Sequence, residues 1–204
     1  MGTMPNILIS AAEALERLVE GNQRFLRGEA RNAAFCPETL AKLADGQRPF
    51  ATILGCSDSR VAPEIVFDSG LGELFIIRVA GNVISPEIMG SFQYAAVHLQ
   101  TTLFVVLGHE GCGAVHAALD QIHHGSEQPS AVAALLRGIT PGLANLGRGA
   151  DPDTEMRDAV EANVRWSMHQ IRETPEAQER AREGAMKLVG AVYEIATGRV
   201  RWLE

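Results

Sequence analysis

Cys56, Asp58 and Arg60 stand two apart in ILGCSDSRVAP (53–63), where an apolar run ends. A second stretch, TTLFVVLGHEGCGAV (101–115), ends its apolar run in the same way, with His109 and Cys112 three apart. Two thiolates and an imidazole are good zinc ligands, and three protein ligands with a fourth position free form the catalytic pattern rather than the closed structural one. Asp58 is itself a competent zinc ligand, so a closed structural site is one alternative. Thiol redox chemistry between Cys56 and Cys112 is another, but it gives His109, Asp58 and Arg60 no role, and there is no C-x-x-C pair. Alone, a cysteine is ordinarily core filling and a histidine at a strand end is ordinarily just hydrogen-bonded. Three soft ligands at two matching strand ends favour a metal.

The elements that must position these groups can be read from the pattern. Phe50–Gly55, Leu74–Val79 and Thr102–Gly108 are continuous apolar runs, as expected of parallel strands covered on both faces. Helical stretches separate them at Ala62–Asp68, Pro86–Gln100 and Cys112–His123. Strand and helix in alternation predict an α/β fold, with a central, mostly parallel sheet flanked by helices. Ligand sites in such sheets form outside the carboxyl ends of strands. If the first and third strands are neighbours, about 4.8 Å apart, Cys56, His109 and Cys112 converge. Gly108, Gly111 and Gly113 are expected to let the backbone bend tightly there.

Ser10–Arg27 reads as an amphipathic helix capped by Ser10, and Pro37–Ala44 as a short second one. Residues 125–152 are rich in glycine, proline and small residues and predict loops and short helices, one of them at Ala131–Leu136. Thr154–Arg172 predicts a long amphipathic helix, followed by a further turn or two to Glu183. Lys187–Ala196 and Arg199–Leu203 flank Thr197-Gly198 and predict a C-terminal hairpin at the sheet edge.

A chain of 204 residues suits one domain (1–204) with one sizeable core. Its 46% apolar and 21% charged residues exclude a disordered chain. The net charge of −7, with the densest basic region (Arg172–Arg182) interleaved with glutamates, argues against nucleic acid as a partner. Three cysteines point to a reducing compartment rather than a disulfide framework, with Cys36 a free thiol. No signal-peptide pattern and no apolar run of about 20 residues is present, so the expectation is a cytoplasmic protein without a membrane partner.

CSDSRVAPE (56–64), RVAGNV (78–83), SFQYAAVHL (91–99) and GHEGCGAV (108–115), with EGNQRF (20–25) and LVGAVYEIATGRV (188–200), resemble the β-class carbonic anhydrases over nearly the whole chain. The resemblance implies one Zn2+ per chain on Cys56, His109 and Cys112. It implies reversible hydration of CO2 to bicarbonate and a proton through zinc-bound hydroxide, with activity rising above neutral pH. Asp58 would orient the hydroxide, and Arg60 would hold Asp58 off the metal. Parted from Arg60, Asp58 would close the site as a fourth ligand. Gln47, Phe75, Val79, Tyr94 and Gly113 fall where the family binds substrate. Arg78 and Tyr193 match two parts of an inhibitory bicarbonate pocket whose tryptophan is replaced here by Ile53, so that pocket is incomplete. The family further implies a homodimer or homotetramer, with an N-terminal helical arm (1–30) as dimer contact. Hydrolysis of carbonyl sulfide or carbon disulfide is a competing activity for a related site, and a zinc-stabilised binding protein is the non-enzymatic alternative.

Overall fold

The computed structural model describes residues 9–31, 37–147, 149 and 151–203; Cys36 lies outside them. Five strands form one sheet: β1 (Ala51–Gly55), β2 (Leu74–Arg78), β3 (Leu103–His109), β4 (Lys187–Tyr193) and β5 (Val200–Leu203). The order is β2-β1-β3-β4-β5. The first four strands are parallel, and β5 pairs antiparallel with β4 as the expected edge hairpin. From β1 the chain steps to β2 on one side, then crosses over to β3 on the other and continues to β4. The connections therefore diverge between β1 and β3, which makes the carboxyl ends of these two strands the switch point where an open α/β sheet leaves a crevice.

Alternation along β3 feeds two cores. Phe104 and Val106 face one with Leu54, Ile77 and Val192. Leu103, Val105 and Leu107 face the other with Ile53, Ala191 and Tyr193. The second core is covered by α1 (Ala11–Leu26) and the short α3 (Pro63–Val66), after α2 (Pro37–Ala44) has led into the sheet. Ser10 caps α1, accepting from the Glu13 N–H at 3.2 Å. One face of α1 packs on its own sheet through Ala14 and Leu18. Asn22 then ties three segments together, donating to the Val66 and Gly198 carbonyls and accepting from the Val200 N–H.

The first core is covered by α4 (Pro86–Tyr94), α5 (Gly113–His124), α6 (Ser130–Leu136), α7 (Thr140–Leu143), α8 (Pro152–Arg172) and α9 (Pro175–Arg182). The helix expected over Pro86–Gln100 is not uniform. After Tyr94 it widens into a π-type turn, Ala95–Leu99, and stops at left-handed Gln100, while the Thr101 N–H and hydroxyl both reach back to the Ala95 carbonyl. The helix expected from Thr154 begins two residues earlier. Asp151 caps it by accepting from the Thr154 N–H, and Pro152 takes the first helical position, which needs no donor. Gly108 lets α8 lie directly on β3: a Cβ there would meet Val164 Cγ2 at 2.6 Å.

Asp68, buried and with φ +44°, joins α1 to the loop after α3 by ion pairs with Arg24 and Arg31. Burial pushes its carboxyl up, but the hydrogen bonds from Arg24 and Arg31 outweigh this and hold it below the ordinary 3.8. A carboxylate whose folded value is the lower one stabilises the fold fully above the unfolded value and loses that stabilisation as pH falls through the folded one. Asp68→Asn is therefore expected to lower the denaturant midpoint at neutral pH. It should also lose less further stability than the parent below about pH 4; identical acid sensitivity in the two proteins would overturn this.

Candidate active site and metal centre

Cys56 follows the last residue of β1, His109 is the last residue of β3, and Cys112 caps α5 three residues later. Gly55 lies opposite Leu107, so the two strands end side by side at the switch point. Gly111, with φ +62°, makes the turn that swings Cys112 back toward His109. Gly113, expected to help that bend, has no left-handed φ, and a Cβ there would meet nothing within 4 Å; one left-handed residue suffices for the turn. Sγ of Cys56, a ring nitrogen of His109 and Sγ of Cys112 lie within 4.8 Å of one another, and all three residues are buried.

The chemistry of this donor set fits a zinc ion. His109 Nδ1 lies 2.9 Å from the Glu110 carbonyl, which can only accept, so Nδ1 is the donor and Nε2 is the nitrogen left to ligate a metal. Nε2 is buried and has no hydrogen-bond partner among the described residues. The hydrogen bond from the Cys112 thiol, then burial acting in the opposite sense, set the Cys56 thiol; the net effect lowers its pKa. Cys112, donor to that thiolate, is pushed up, although the Val115 and Ala114 N–H groups favour its ionised form. The pair thus favours one thiolate over two, and a divalent metal would favour the second.

Asp58 stands at the rim. Arg60 grips it with two parallel bonds, Nε to Oδ1 at 2.9 Å and Nη2 to Oδ2 at 2.7 Å, and the Arg60 backbone N–H donates to Oδ1 at 2.9 Å. The side-chain hydrogen bond from Arg60, more than the opposing burial, holds the carboxyl far below the usual carboxylate range. Asp58 Oδ2 is 3.8 Å from His109 Nε2, close to the ligand cluster but turned toward Arg60. Arg78 fixes the loop that carries both Cys56 and Asp58, donating to the Cys56 carbonyl at 2.9 Å and the Asp58 carbonyl at 2.7 Å. Tyr193 is buried opposite His109, and Ile53 is fully buried within β1.

The other sequence-derived residues are distributed less simply. Val79 N–H donates to the Gly55 carbonyl, which puts Val79 at the carboxyl end beside Cys56. Phe75 sits lower on β2, opposite Thr52, with its ring 6.1 Å from that of Tyr94. Gln47 is not brought to the site in this chain. It is exposed before the amino end of β1, and the five residues of the strand, about 3.3 Å each, separate it from Cys56. Sequence reasoning missed Asn163 and Ser167, buried polar residues on α8 that bond to the Gly81 and Asn82 carbonyls. The signal was two hydrogen-bonding side chains four apart on a face otherwise made of Val160, Val164, Met168 and Ile171.

Comparison with known proteins agrees with this arrangement. The family model described as Carbonic anhydrase matches residues 51–200. A carbonic anhydrase of Mycolicibacterium smegmatis is 39% identical over 198 residues, covering 97% of this chain and 94% of that protein. The solved β-carbonic anhydrase CcaA superposes with a TM-score of 0.75 at 29% identity, over 93% of this chain and 87% of its own. A Coccomyxa β-carbonic anhydrase solved in complex with acetazolamide gives a TM-score of 0.75 at 27% identity, over 93% and 86% of the two chains.

Proposed function

The chain belongs to the carbonic anhydrase family, in its β class, and from that premise we propose that it hydrates CO2 reversibly to bicarbonate and a proton, with one zinc per chain held by Cys56, His109 and Cys112. The observation that carries the reading is geometric: a ring nitrogen of buried His109 and the Sγ atoms of Cys56 and Cys112 lie within 4.8 Å of one another, and His109 Nε2 has no hydrogen-bond partner among the described residues. Zinc, when bound, supplies the Lewis acidity that brings a water toward a pKa of about 7 and so provides the nucleophile at neutral pH.

The chain's own residues orient and shelter that chemistry. Asp58 accepts a hydrogen bond from the attacking oxygen and so aims its lone pair at the substrate carbon. Arg60 keeps the carboxylate anionic and in place, which the bidentate pair supports. Val79, with Phe75 and Tyr94 beyond it, offers an apolar wall to an apolar substrate, and Gly113 leaves open space where α5 begins. Gln47 can serve this chemistry only in a second copy's site, and Tyr94 and Val97, 46% and 57% exposed, offer apolar surface for that copy to cover. A homodimer or a pair of dimers is therefore part of the proposal, with the outer face of α1 as a further contact. A cytoplasmic address is part of the proposal, supported by the low cysteine count of the chain. Among the described residues no helix is long and apolar enough to cross a membrane.

The test is stopped-flow CO2 hydration on purified protein, with zinc measured in the same sample. One zinc per chain is expected, with activity that a chelator removes and zinc restores. Stoichiometric zinc without CO2 hydration from neutral to alkaline pH, but with carbonyl sulfide hydrolysis, would overturn the assignment of substrate.

A further inference from the structure

Cys56 receives one backbone hydrogen bond whose donor is held from the far side of the core. The turn Ala80–Asn82 follows β2 and contains two successive left-handed residues, Gly81 at φ +68° and Asn82 at φ +44°. The Gly81 N–H donates to Cys56 Sγ at 3.4 Å. The carbonyls of the same two residues are both taken by α8, through Asn163 Nδ2 to Gly81 at 2.8 Å and Ser167 Oγ to Asn82 at 2.9 Å. A side chain at position 81 would meet Ile139 Cδ1 at 2.7 Å and Ala114 Cβ at 3.0 Å, so the turn is also closed in by α5 just beyond Cys112. Asn163 and Ser167 are each 1% exposed. Asn163 Oδ1 has no partner among the described residues, so that amide is buried for a single donated bond.

We propose that Asn163 and Ser167 are positioning residues for the metal centre: by anchoring the Gly81–Asn82 turn they aim a backbone N–H at Cys56 Sγ and fix the direction and electron density of that ligand. The proposal rests on the zinc reading above. Groups that orient a metal ligand typically account for 10- to 100-fold in metal affinity. Leucine at 163 removes the donor together with the unpartnered oxygen. Alanine at 167 removes a hydroxyl with little change of shape, and threonine keeps it.

The experiment measures zinc affinity by competition with a fluorescent chelator, and the thiolate-to-metal charge-transfer band of the cobalt(II)-loaded protein. Asn163→Leu and Ser167→Ala are each expected to weaken zinc binding by about tenfold or more and to shift the band, while Ser167→Thr matches the parent. Thr52→Val, which breaks the buried Thr52–Thr101 hydroxyl pair, is the control: it should lower the unfolding midpoint and leave affinity unchanged. If Asn163→Leu does not fold, the two Ser167 variants decide. Unchanged affinity and spectrum in the α8 variants, or an equal loss in Thr52→Val, overturns the positioning role alone. A parent that binds no zinc through its Cys-His-Cys group overturns this role and the proposed function together.

Discussion

Cys112→Ser is expected to cost at least about a thousandfold in zinc affinity and to reduce CO2 hydration to the uncatalysed rate, without unfolding the metal-free protein. Serine is nearly isosteric and can still cap α5. What it cannot supply is the second thiolate. In the parent, the hydrogen bond between the two thiols favours ionisation of Cys56 and pushes the Cys112 thiol up. A divalent cation offsets that shift and collects both charges. With serine, one thiolate and a neutral imidazole remain, and the lost ligand is an anion rather than a dipole. At 1.4 kcal/mol per tenfold, a thousandfold is about 4 kcal/mol. That is a reasonable share of the roughly 10–16 kcal/mol seen for four-ligand structural zinc sites. Chelator competition gives the affinity, and thermal unfolding with and without zinc gives an independent reading: added zinc raises the parent's midpoint more than the variant's. A variant that keeps one zinc per chain through dialysis against chelator would show that Cys112 is not a ligand.

Much of this centre was legible because strands transmit position so directly. Cys56 and His109 stand at the carboxyl ends of two β-branched, apolar runs, and only the adjacency of those runs had to be supplied. Adjacency follows here from the chain's crossing from β2 past β1 to β3. Local geometry was less legible. Gly113 looks like Gly111 in the sequence, yet only Gly111 has a left-handed φ, because Cys112 already has extended backbone as the helix cap. The stretch after α4 ends at Gln100 as expected, but its π-type form was not legible; the Thr101 hydroxyl and N–H, both bonded to the Ala95 carbonyl, accompany the widened last turn.

The larger omissions are those that periodicity hides. Asn163 and Ser167 fall where the amphipathic pattern of α8 expects apolar residues, and a polar residue on such a face is easily read as noise. Burial changes its meaning, because an amide or hydroxyl in a core needs a partner, and both partners here lie on one turn beside Cys56. Gln47 was named from the family resemblance, and its own chain does not carry it to the metal centre. The intervening strand converts the nine positions between it and Cys56 into distance along the sheet, so the role implied by the resemblance belongs to a second copy's site as proposed above. Arg78, matched to part of an anion pocket that Ile53 leaves incomplete, has two of its donors on the carbonyls of the loop that carries Cys56 and Asp58, a role the sequence did not show.

Arg60→Ala is expected to lower kcat/KM for CO2 hydration by about 10²-fold or more, while zinc stays bound at one per chain. The argument begins with the charge on Asp58. Its carboxyl lies far below the ordinary carboxylate range because Arg60 hydrogen-bonds it, and it stays anionic throughout any practical assay. Two of the three bonds that turn it away from the ligand cluster come from the Arg60 side chain. The third comes from the backbone N–H of residue 60, which alanine preserves. Oδ2 is 3.8 Å from His109 Nε2, so a rotation of the freed side chain carries an anion toward the metal position. Aspartate is a competent zinc ligand, and its attraction to a dication then competes only with that one backbone hydrogen bond. Asp58→Ala is the informative companion. It also loses activity, since the attacking oxygen is no longer oriented, but it leaves the fourth position open. Small anions such as azide should therefore perturb the cobalt(II) spectrum of Asp58→Ala and not that of Arg60→Ala. Lysine at 60 restores the charge without the fork, and a point charge constrains a carboxylate less than a bidentate pair does, so Arg60→Lys is expected to fall between the parent and Arg60→Ala. An Arg60→Ala protein with full activity and a metal still open to azide would refute the gate and leave Arg60 as a surface partner of Asp58.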